Sequence, residues 1–548
     1  LGYGDNACGS LQTEINLAPG EEKEFLIIVG IGSADKEGKA IRAKYSDLSK
    51  VDKELAEIKK YWQKKIQGFT AITPNKNLNS TINTWGIYNS LITFMWSRAA
   101  SLIYSGIDRD GLGYRDTVQD LMGVMHTTPE EVREKLELMI TGQMSSGGAK
   151  PVVYPLAHNP GHETPTEEKE YRSDDCMWLF NAIPAYVKET GNIDFYKKVL
   201  PYADKGEDSV FEHMKRAINF NLKRSGQNGF PLGLSADWND CFEFGNTGET
   251  IFVAFQLRLA LAVYIEVGEM LGETAEVDWA KPILANLDKN LIEKAWDGEW
   301  FIRGFDAQGN KIGSKESAEG QIFLNTQAWS IISGLSNNGK AQKAMQKVKE
   351  RLSTDYGIMI TDPPYTKSDY TLIRAQLMNP GLKENGGIFV HTQGWAVMAE
   401  AMLGHGDQAY EYLMNYLPAN YNDRAEIREI EPYVVCQSTH TKYSPKEGAS
   451  RIPWLSGSAT WTYYAITQYI LGVRPEYDGL TIDPAISSDW KGFTVSRIFR
   501  GKKFKIEVKN TSGAQKGVKE LKLNGEIIKG NFIPVNKMQQ TNDVIVIM

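Results

Sequence analysis

The 548-residue sequence has little of what several common protein classes require. Its four cysteines lie far apart without a CxxC pair, so neither a disulfide framework nor a zinc site is indicated. The net charge of −7 gives no broad cationic surface for nucleic acid or anionic lipid. By inspection, no apolar run reaches the roughly 18 to 20 residues that a membrane helix needs. We therefore expect no nucleic-acid or membrane partner and a cytoplasmic location.

What the sequence does contain predicts a large helical region. Hydrophobic residues make up 42% and charged residues 24% of the chain, which is typical of globular domains with a sizeable core. The spacing of apolar residues predicts twelve helices, at 85–104, 117–125, 129–144, 174–190, 210–222, 249–271, 279–294, 326–332, 340–352, 392–403, 407–416 and 459–471. Twelve helices with long loops suit six hairpins closed into a toroid, with a cleft built by the loops at one end.

The pattern changes on both sides of this region. Residues 9–16 and 24–29 predict two strands, which cannot stand alone in water and so indicate the end of a β domain. Residues 46–69 predict a connecting helix rich in lysine and glutamate. Short β-rich runs after Gly472 predict a small all-β domain. We expect a β-sandwich end at 1–35, a helical linker at 36–75, a helical domain at 76–471 and a β domain at 472–548.

The run Asp237-Trp238-Asn239-Asp240 places two carboxylates three residues apart in a loop. Such a loop can aim one acid into a cleft while the other anchors the backbone, although structural capping explains the pattern equally well. Aromatic residues beside carboxylates favour a cleft that stacks on sugar rings.

Three other loops carry polar residues next to glycines. In 109–116, two arginines and two aspartates can bind phosphate and sugar hydroxyls, or form surface salt bridges. Loop 384–391 ends in His391, and a lone histidine there is more often a core residue. Loop 454–458 precedes a helix and suits either an anion site or ordinary N-capping.

Metal and nucleotide sites are not predicted. His158 and His162 form an HxxxH pattern, but Pro160 and Gly161 between them disfavour the helix that would align two metal ligands. The sequence contains no GxxxxGK[ST], no strand-linked GxGxxG and no GxSxG motif. We expect no metal and no cofactor.

Taken together, six runs resemble the inverting disaccharide phosphorylases typified by cellobiose phosphorylase and N,N'-diacetylchitobiose phosphorylase. These runs, in the family's order between Gly113 and Pro484, are GYRDTVQD, RSDDCMWL, ADWNDC, KENGGIFVH, WLSGSATW and ILGVRPEYDGLTIDP. The resemblance implies a mainly α fold: an (α/α)6 catalytic barrel with a small C-terminal all-β domain, a helical linker and the remnant strands of an N-terminal β-sandwich. It also implies a homodimer.

The resemblance further implies roles for single residues. Asp240 would be the general acid, and inorganic phosphate a co-substrate. The residues that would hold the non-reducing sugar in subsite −1 are Arg115, Asp116, Trp238 and Glu384. The residues that would bind phosphate are Arg109, His391, Ser456 and Gly457, with Arg109 and His391 as the positive groups.

The sequence departs from the family's pattern at two places. Ser456 stands where the family usually has threonine, which keeps the hydroxyl. Arg374 and Met378 stand 17 and 13 residues before His391, where cellobiose phosphorylases that resemble this chain carry Glu and Tyr. An arginine facing subsite +1 would suit a carboxylate acceptor such as gluconate; alternatively, Arg374 pairs with a nearby acid and meets no ligand.

The predicted function is that of a hexosyltransferase: inverting phosphorolysis of a β-linked, cellobiose-like disaccharide to an α-sugar 1-phosphate and a monosaccharide. The acceptor would be glucose, gluconate or N-acetylglucosamine. One alternative is an inverting glycoside hydrolase, which needs a second carboxylate to activate water; Asp116, Asp237 and Glu384 are the candidates. The other is a non-catalytic sugar-binding module.

Overall fold

The computed structural model describes residues 9–30, 32–97, 111–335, 339–454 and 457–548. The chain divides into two compact units, Leu1–Lys65 and Ile66–Met548. Arg109 and Ser456, two of the four predicted phosphate ligands, lie outside the described residues.

The first unit has no regular secondary structure where strands were expected. Residues 9–30 form no strand, so the strands predicted at 9–16 and 24–29 are wrong for this chain. Their apolar side chains, such as Ile27 and Val29, are exposed, because no neighbouring strand covers them. The helix predicted at 46–69 is confirmed as Leu48–Ile66, preceded by the short helix Lys39–Lys44.

The second unit is mainly helical, and each of the twelve predicted segments contains a helix. The α-helices in its described residues are Lys76–Ser80, Gly86–Trp96, Tyr114–Asp120, Pro129–Ile140, Leu179–Thr190, Val210–Lys223, Ile251–Leu271, Thr274–Lys294, Leu324–Ile332, Lys340–Leu352, Val390–Leu403, Gly406–Tyr416, Ala425–Arg428 and Ser458–Tyr464. Helices that follow each other pack as hairpins, as Ile251–Leu271 does with Thr274–Lys294.

The helix Ile251–Leu271 corrects the expectation that no apolar run has membrane-spanning length. By length and composition alone this helix would be able to cross a membrane. In this fold, however, 72% of its most apolar stretch is buried inside the protein. Its one arginine, Arg258, is neutralised by an ion pair with Asp288 at 2.8 Å on the neighbouring helix. It is a core helix that is buried most completely in its N-terminal half.

Four fully buried tryptophans form the centre of the helical core. Trp178, Trp329, Trp395 and Trp461 come from four different helical segments. The ring of Trp395 lies 5.9 Å from that of Trp178, 5.6 Å from Trp329 and 5.9 Å from Trp461. Trp238 and His391, two of the predicted site residues, pack against Trp395 of this cluster.

The predicted C-terminal β region is confirmed. One sheet has six strands, in the spatial order Phe69–Ile72, Gly492–Phe499, Lys502–Lys509, Thr541–Ile547, Glu520–Leu523 and Glu526–Ile528. A second sheet is formed by Val473–Glu476, Gly479–Ile482 and Phe532–Pro534. The edge strand Phe69–Ile72 was expected within a helical linker, but its pairing with Gly492–Phe499 makes it part of the C-terminal sheet.

Short strands between the helices hold the loops of the second unit. They form the sets Leu112–Gly113 with Val152–Val153; Val199–Pro201 with Glu207–Ser209; Leu232–Leu234, Gly245–Thr250, Gly304–Phe305 and Lys311–Ile312; Ile322–Phe323 with Thr361–Asp362; Ser353–Thr354 with Gly357–Ile358; and Ile388–Phe389, Cys436–Thr439 and Ser450–Pro453.

Candidate active site

Arg115 connects three of the predicted functional loops. It lies in the first turn of the helix Tyr114–Asp120 and is buried. Its guanidinium donates to Asp174 Oδ1 at 2.9 Å and to the backbone carbonyl of Asp237, and it is ion-paired with the carboxylate of Asp240. Five donors in a rigid fork allow one arginine to make all three contacts.

The two acids of the 237–240 loop have different environments. Asp237 is fully buried, and its carboxylate is ion-paired with Arg303 at 2.6 Å and accepts from the Thr250 hydroxyl at 2.6 Å. Asp240, by contrast, has a side chain that is 61% exposed. The loop therefore has the arrangement that its sequence allowed: Asp237 anchors the backbone and Asp240 is accessible to a substrate.

Glu384 lies close to the same loop. Burial raises the pKa of its carboxyl, and the charge of Asp240 acts in the same direction. Its Oε2 atom is buried and has no hydrogen-bond partner among the described residues, while the thiol of Cys241 hydrogen-bonds to the side chain. The raised pKa shifts this carboxyl toward its protonated form, the form that can donate to a sugar hydroxyl.

His391 lies at the start of the helix Val390–Leu403 and is buried against aromatic rings. Its ring centroid is 5.1 Å from that of Trp238 and 5.2 Å from that of Trp395. Burial, with the charge of Arg115, lowers the pKa of His391 to about 3. The expectation that His391 supplies positive charge is therefore wrong for the free protein, in which the ring is neutral at pH 7.

Gly457 lies directly against His391. It has a φ of +84°, and a Cβ atom at this position would lie 2.1 Å from His391 Cε1, so that only glycine fits. Its backbone N–H donates to Asp120 Oδ1 at 2.7 Å. Asp120 is buried, and burial raises the pKa of its carboxyl to about 8. The structure thus brings Gly457 and His391 together, next to Arg115 and Trp238.

Arg374 and Met378 lie beside the loop that carries Asp240. Arg374 is 60% exposed and pairs with Glu243 Oε1 at 2.8 Å, which is the alternative that the sequence left open. Met378 packs against a buried cluster that includes Cys241. The Glu243 N–H donates to the Leu372 carbonyl at 2.8 Å, which fastens this segment to the acid loop.

Three residues that organise this site were not predicted from the sequence. They are Gln119 and Asp120, which contact His391 and Gly457, and Asp174, which pairs with Arg115. All three lie inside the matched runs GYRDTVQD and RSDDCMWL. Their place in these runs could have indicated a role in the site. Their contacts could not be predicted, because the partner residues are distant in sequence.

The described residues contain no group of three or more His, Cys, Asp or Glu side chains that could hold a metal ion. His158, one half of the HxxxH pattern, contacts Glu163 and lies 2.9 Å from the Thr141 hydroxyl. Cys176, Cys241 and Cys436 are buried free thiols.

Comparison with known families decides the classification. The model of the glycosyl hydrolase 94 superfamily catalytic domain matches residues 61–472, and that of the glycosyl hydrolase 94 supersandwich domain matches residues 1–48. The chain belongs to the glycosyl hydrolase 94 superfamily. The second match means that residues 1–48 correspond to part of a supersandwich domain, although no strand forms in residues 9–30.

Relatives within the glycosyl hydrolase 94 superfamily confirm the resemblance to disaccharide phosphorylases. The N,N'-diacetylchitobiose phosphorylase of Vibrio proteolyticus is 38% identical over 99% of this chain and 70% of its own length. The cellobionic acid phosphorylase of Neurospora crassa is 28% identical over 91% of this chain and 63% of its own length.

Solved structures show a related fold. A GH78-family rhamnosidase of Bacillus sp. GL1 superposes with a TM-score of 0.54 at 13% identity, over 82% of this chain. This chain covers only 43% of that structure. At this identity the likeness concerns the fold alone.

Proposed function

We propose that this glycosyl hydrolase 94 protein cleaves a β-linked disaccharide with inorganic phosphate and inverts the anomeric configuration, giving an α-sugar 1-phosphate and a monosaccharide. The observation that carries the proposal is the division of roles in the 237–240 loop. Asp240 is the accessible acid, while Asp237 is buried in an ion pair with Arg303. A single accessible acid in this loop suits phosphorolysis. That reaction needs a proton donor, but its nucleophile, phosphate, is already an anion and needs no base.

In this mechanism phosphate attacks the anomeric carbon while Asp240 protonates the departing oxygen. Asp240 must carry a proton at that moment, but in the free protein it is ion-paired with Arg115. Substrate binding therefore has to replace this ion pair. Arg115 and Asp116 would turn to the hydroxyls of the sugar in subsite −1, with Trp238 and Glu384 completing that subsite.

The phosphate would bind where His391 meets Gly457, with Arg109 and Ser456 as further ligands. Because His391 is buried and neutral, Arg109 would supply most of the positive charge. Holding the anion in line with the anomeric carbon accounts for much of the rate enhancement of such a reaction.

The hydrolase alternative requires a base that activates water. Asp237 does not qualify, because it is fully buried and paired with Arg303. Glu384 is a poor candidate, because its raised pKa favours the protonated form. Asp116, which is partly buried beside Arg115, is the remaining candidate for a hydrolase.

We infer that the sugar units are N-acetylglucosamine. The relative named for N,N'-diacetylchitobiose is 38% identical, against 28% for the one named for cellobionic acid. In addition, the charge of Arg374 is compensated by Glu243, which weakens the case for gluconate as the acceptor.

The helical hairpins of the second unit support an (α/α)6 barrel as the scaffold of this site, with the loops of one end forming the cleft. A homodimer would also account for the exposed apolar residues of the first unit, such as Leu26, Ile27 and Val29. The mass of the protein in solution, measured by light scattering, tests whether it forms a homodimer.

The reverse reaction tests the proposed function. N-acetylglucosamine and glucose 1-phosphates of α and β configuration are each offered with N-acetylglucosamine, glucose or gluconate. We expect disaccharide and free phosphate from α-N-acetylglucosamine 1-phosphate and N-acetylglucosamine. Use of the β anomer would contradict inversion, and absence of synthesis from every donor would contradict phosphorolysis.

A further inference from the structure

Gln119 lies in the last turn of the helix Tyr114–Asp120, where its side chain contacts His391 and Trp461. It is fully buried. Its Nε2 donates to the Arg115 carbonyl at 2.9 Å, and its Oε1 lies 2.8 Å from Trp461 Nε1 and 2.7 Å from His391 Nε2.

These contacts fix the orientation of the Gln119 amide. A tryptophan Nε1 carries a hydrogen and is only a donor, so the atom facing Trp461 must be the amide oxygen. A backbone carbonyl is only an acceptor, so the atom facing Arg115 must be the amide nitrogen. Both ends of the amide thus require the same orientation.

The tautomer of His391 follows from this orientation. Because the Gln119 oxygen can only accept, His391 Nε2 must carry a hydrogen and donate it. A neutral ring with its hydrogen on Nε2 has a bare lone pair on Nδ1. Burial and Arg115 keep the pKa of His391 well below its usual value, so the ring stays neutral.

Gly457, which we assign to the phosphate site, lies against the Cε1 and Nδ1 atoms of His391 rather than against Nε2. A Cβ atom on Gly457 would lie 2.1 Å from Cε1, 2.3 Å from Nδ1 and 2.9 Å from Nε2. No hydrogen bond to Nδ1 comes from any of the residues in the described ranges. The remaining faces of the ring are covered by Trp238 and Trp395.

We propose that Gln119 is a positioning residue that holds His391 as the Nε2–H tautomer, so that Nδ1 accepts a hydrogen bond from a P–OH group of bound phosphate. This inference rests on the proposed function, since it assigns a role to the phosphate site. It makes the site selective for an oxyanion that carries a proton. Phosphate and arsenate carry one near neutral pH, whereas sulfate does not.

The tautomer can be measured without turnover. The full-length protein is prepared with ¹⁵N-histidine, and long-range ¹H–¹⁵N correlation spectra are recorded near pH 7 with and without inorganic phosphate. The His391 signals are assigned by their loss in His391→Gln. We expect a protonated Nε2 and an unprotonated Nδ1 in both spectra. A hydrogen on Nδ1 in either state would overturn the proposal.

Anion selectivity gives the second readout. Sulfate should inhibit the wild-type protein weakly relative to the KM for phosphate. In Gln119→Leu the tautomer is no longer fixed, so an Nδ1–H can donate to sulfate. The ratio of the sulfate inhibition constant to the phosphate KM should fall about tenfold or more, the worth of one hydrogen bond to a charged group.

A matched variant controls for the loss of a buried amide. Gln327 is fully buried and also bonds back to a carbonyl four residues earlier, that of Phe323, while its oxygen accepts from the Phe301 N–H. Gln327→Leu should leave the selectivity ratio unchanged. Equal ratios in wild type, Gln119→Leu and Gln327→Leu would refute the role of Gln119. Cleavage by the wild type without phosphate would instead refute the proposed function, whatever the tautomer.

Discussion

In the free protein the buried guanidinium of Arg115 is ion-paired with the accessible carboxylate of Asp240. The proposed sugar-binding residue and the proposed acid thus hold each other until substrate arrives. Asp174, on the other side of the guanidinium, keeps Arg115 in place when Asp240 is released. Binding of the sugar and freeing of the acid are therefore one event in our account.

The first prediction concerns the acid. Asp240→Asn should lower kcat for phosphorolysis about 10² to 10⁴-fold, the usual contribution of general acid catalysis. The melting temperature should change little, because the side chain is largely exposed. Initial rates and thermal unfolding on the same preparation measure both quantities.

Asp237→Asn is the matched comparison, three residues earlier in the same loop. It breaks a fully buried ion pair with Arg303, which costs about 3 to 5 kcal/mol of stability. Its main effect should be on unfolding. If Asp240→Asn retained near-full rate, the assignment of the acid would fail.

The second prediction concerns Gly457. Gly457→Ala would push a methyl group into the His391 ring and should raise the KM for phosphate far more than the KM for the disaccharide. Gly404→Ala separates this clash from backbone strain, because Gly404 has a similar φ of +85° but its new Cβ would meet only the Lys516 side chain, at an ordinary contact distance of 3.5 Å.

Gly404→Ala should therefore cost about 1 to 2 kcal/mol of stability, the strain of a left-handed backbone, and leave the KM for phosphate unaltered. Parallel rises of KM for phosphate in both variants would remove Gly457 from the phosphate site.

A third prediction follows from Asp120, whose pKa is raised to about 8 by burial. Asp116 acts in the same direction, while the Gly457 N–H and Lys135 oppose it. The carboxyl is neutral below about pH 8 and becomes negative above it, next to the loop that would bind phosphate. The KM for phosphate should consequently rise above pH 8, and this rise should be absent in Asp120→Asn.

The pH dependence of the protein's stability provides an independent check of the raised Asp120 pKa. Between about pH 4 and 8 the folded protein keeps the Asp120 proton that the unfolded chain has lost, so this group makes stability fall as pH rises. Asp120→Asn should flatten that decline in melting temperature. Asp194→Asn, at an exposed carboxylate, should follow the wild type. Identical slopes in all three proteins would contradict a buried, protonated Asp120.

The fourth prediction concerns the acceptor. Glu243→Gln would leave Arg374 without its partner and should increase synthesis with gluconate relative to N-acetylglucosamine. The double variant Glu243→Gln, Arg374→Ala should lose that gain. An unchanged ratio in the single variant would mean that Arg374 does not reach the acceptor.

The sequence predicted elements whose signal is local. The strand Gly492–Phe499 lies in the β-rich region that was predicted after Gly472, where apolar and polar residues alternate over 493–496. The helix Ile251–Leu271 was predicted at 249–271, but its membrane-spanning apolar length was not. The charge of Arg258 within it is paired with Asp288, a partner 30 positions away.

Features that depend on distant partners were not predictable. Phe69–Ile72 joins the C-terminal sheet through residues more than 400 positions away. The strands expected at 9–16 and 24–29 did not form, because strand propensity requires neighbours. Likewise, the loop sequence by itself left open which of Asp237 and Asp240 is the anchor, and the resemblance named Asp240 as the acid. The contacts of Asp237 with Arg303 and Thr250, which identify it as the anchor, come from distant parts of the chain.

The most direct test of the central claim is the cleavage of N,N'-diacetylchitobiose with and without inorganic phosphate, followed by ¹H and ³¹P NMR. We predict that cleavage depends on phosphate and that the first product is the α-anomer of N-acetylglucosamine 1-phosphate. Cleavage at the same rate without phosphate, with only free sugars as products, would contradict our account.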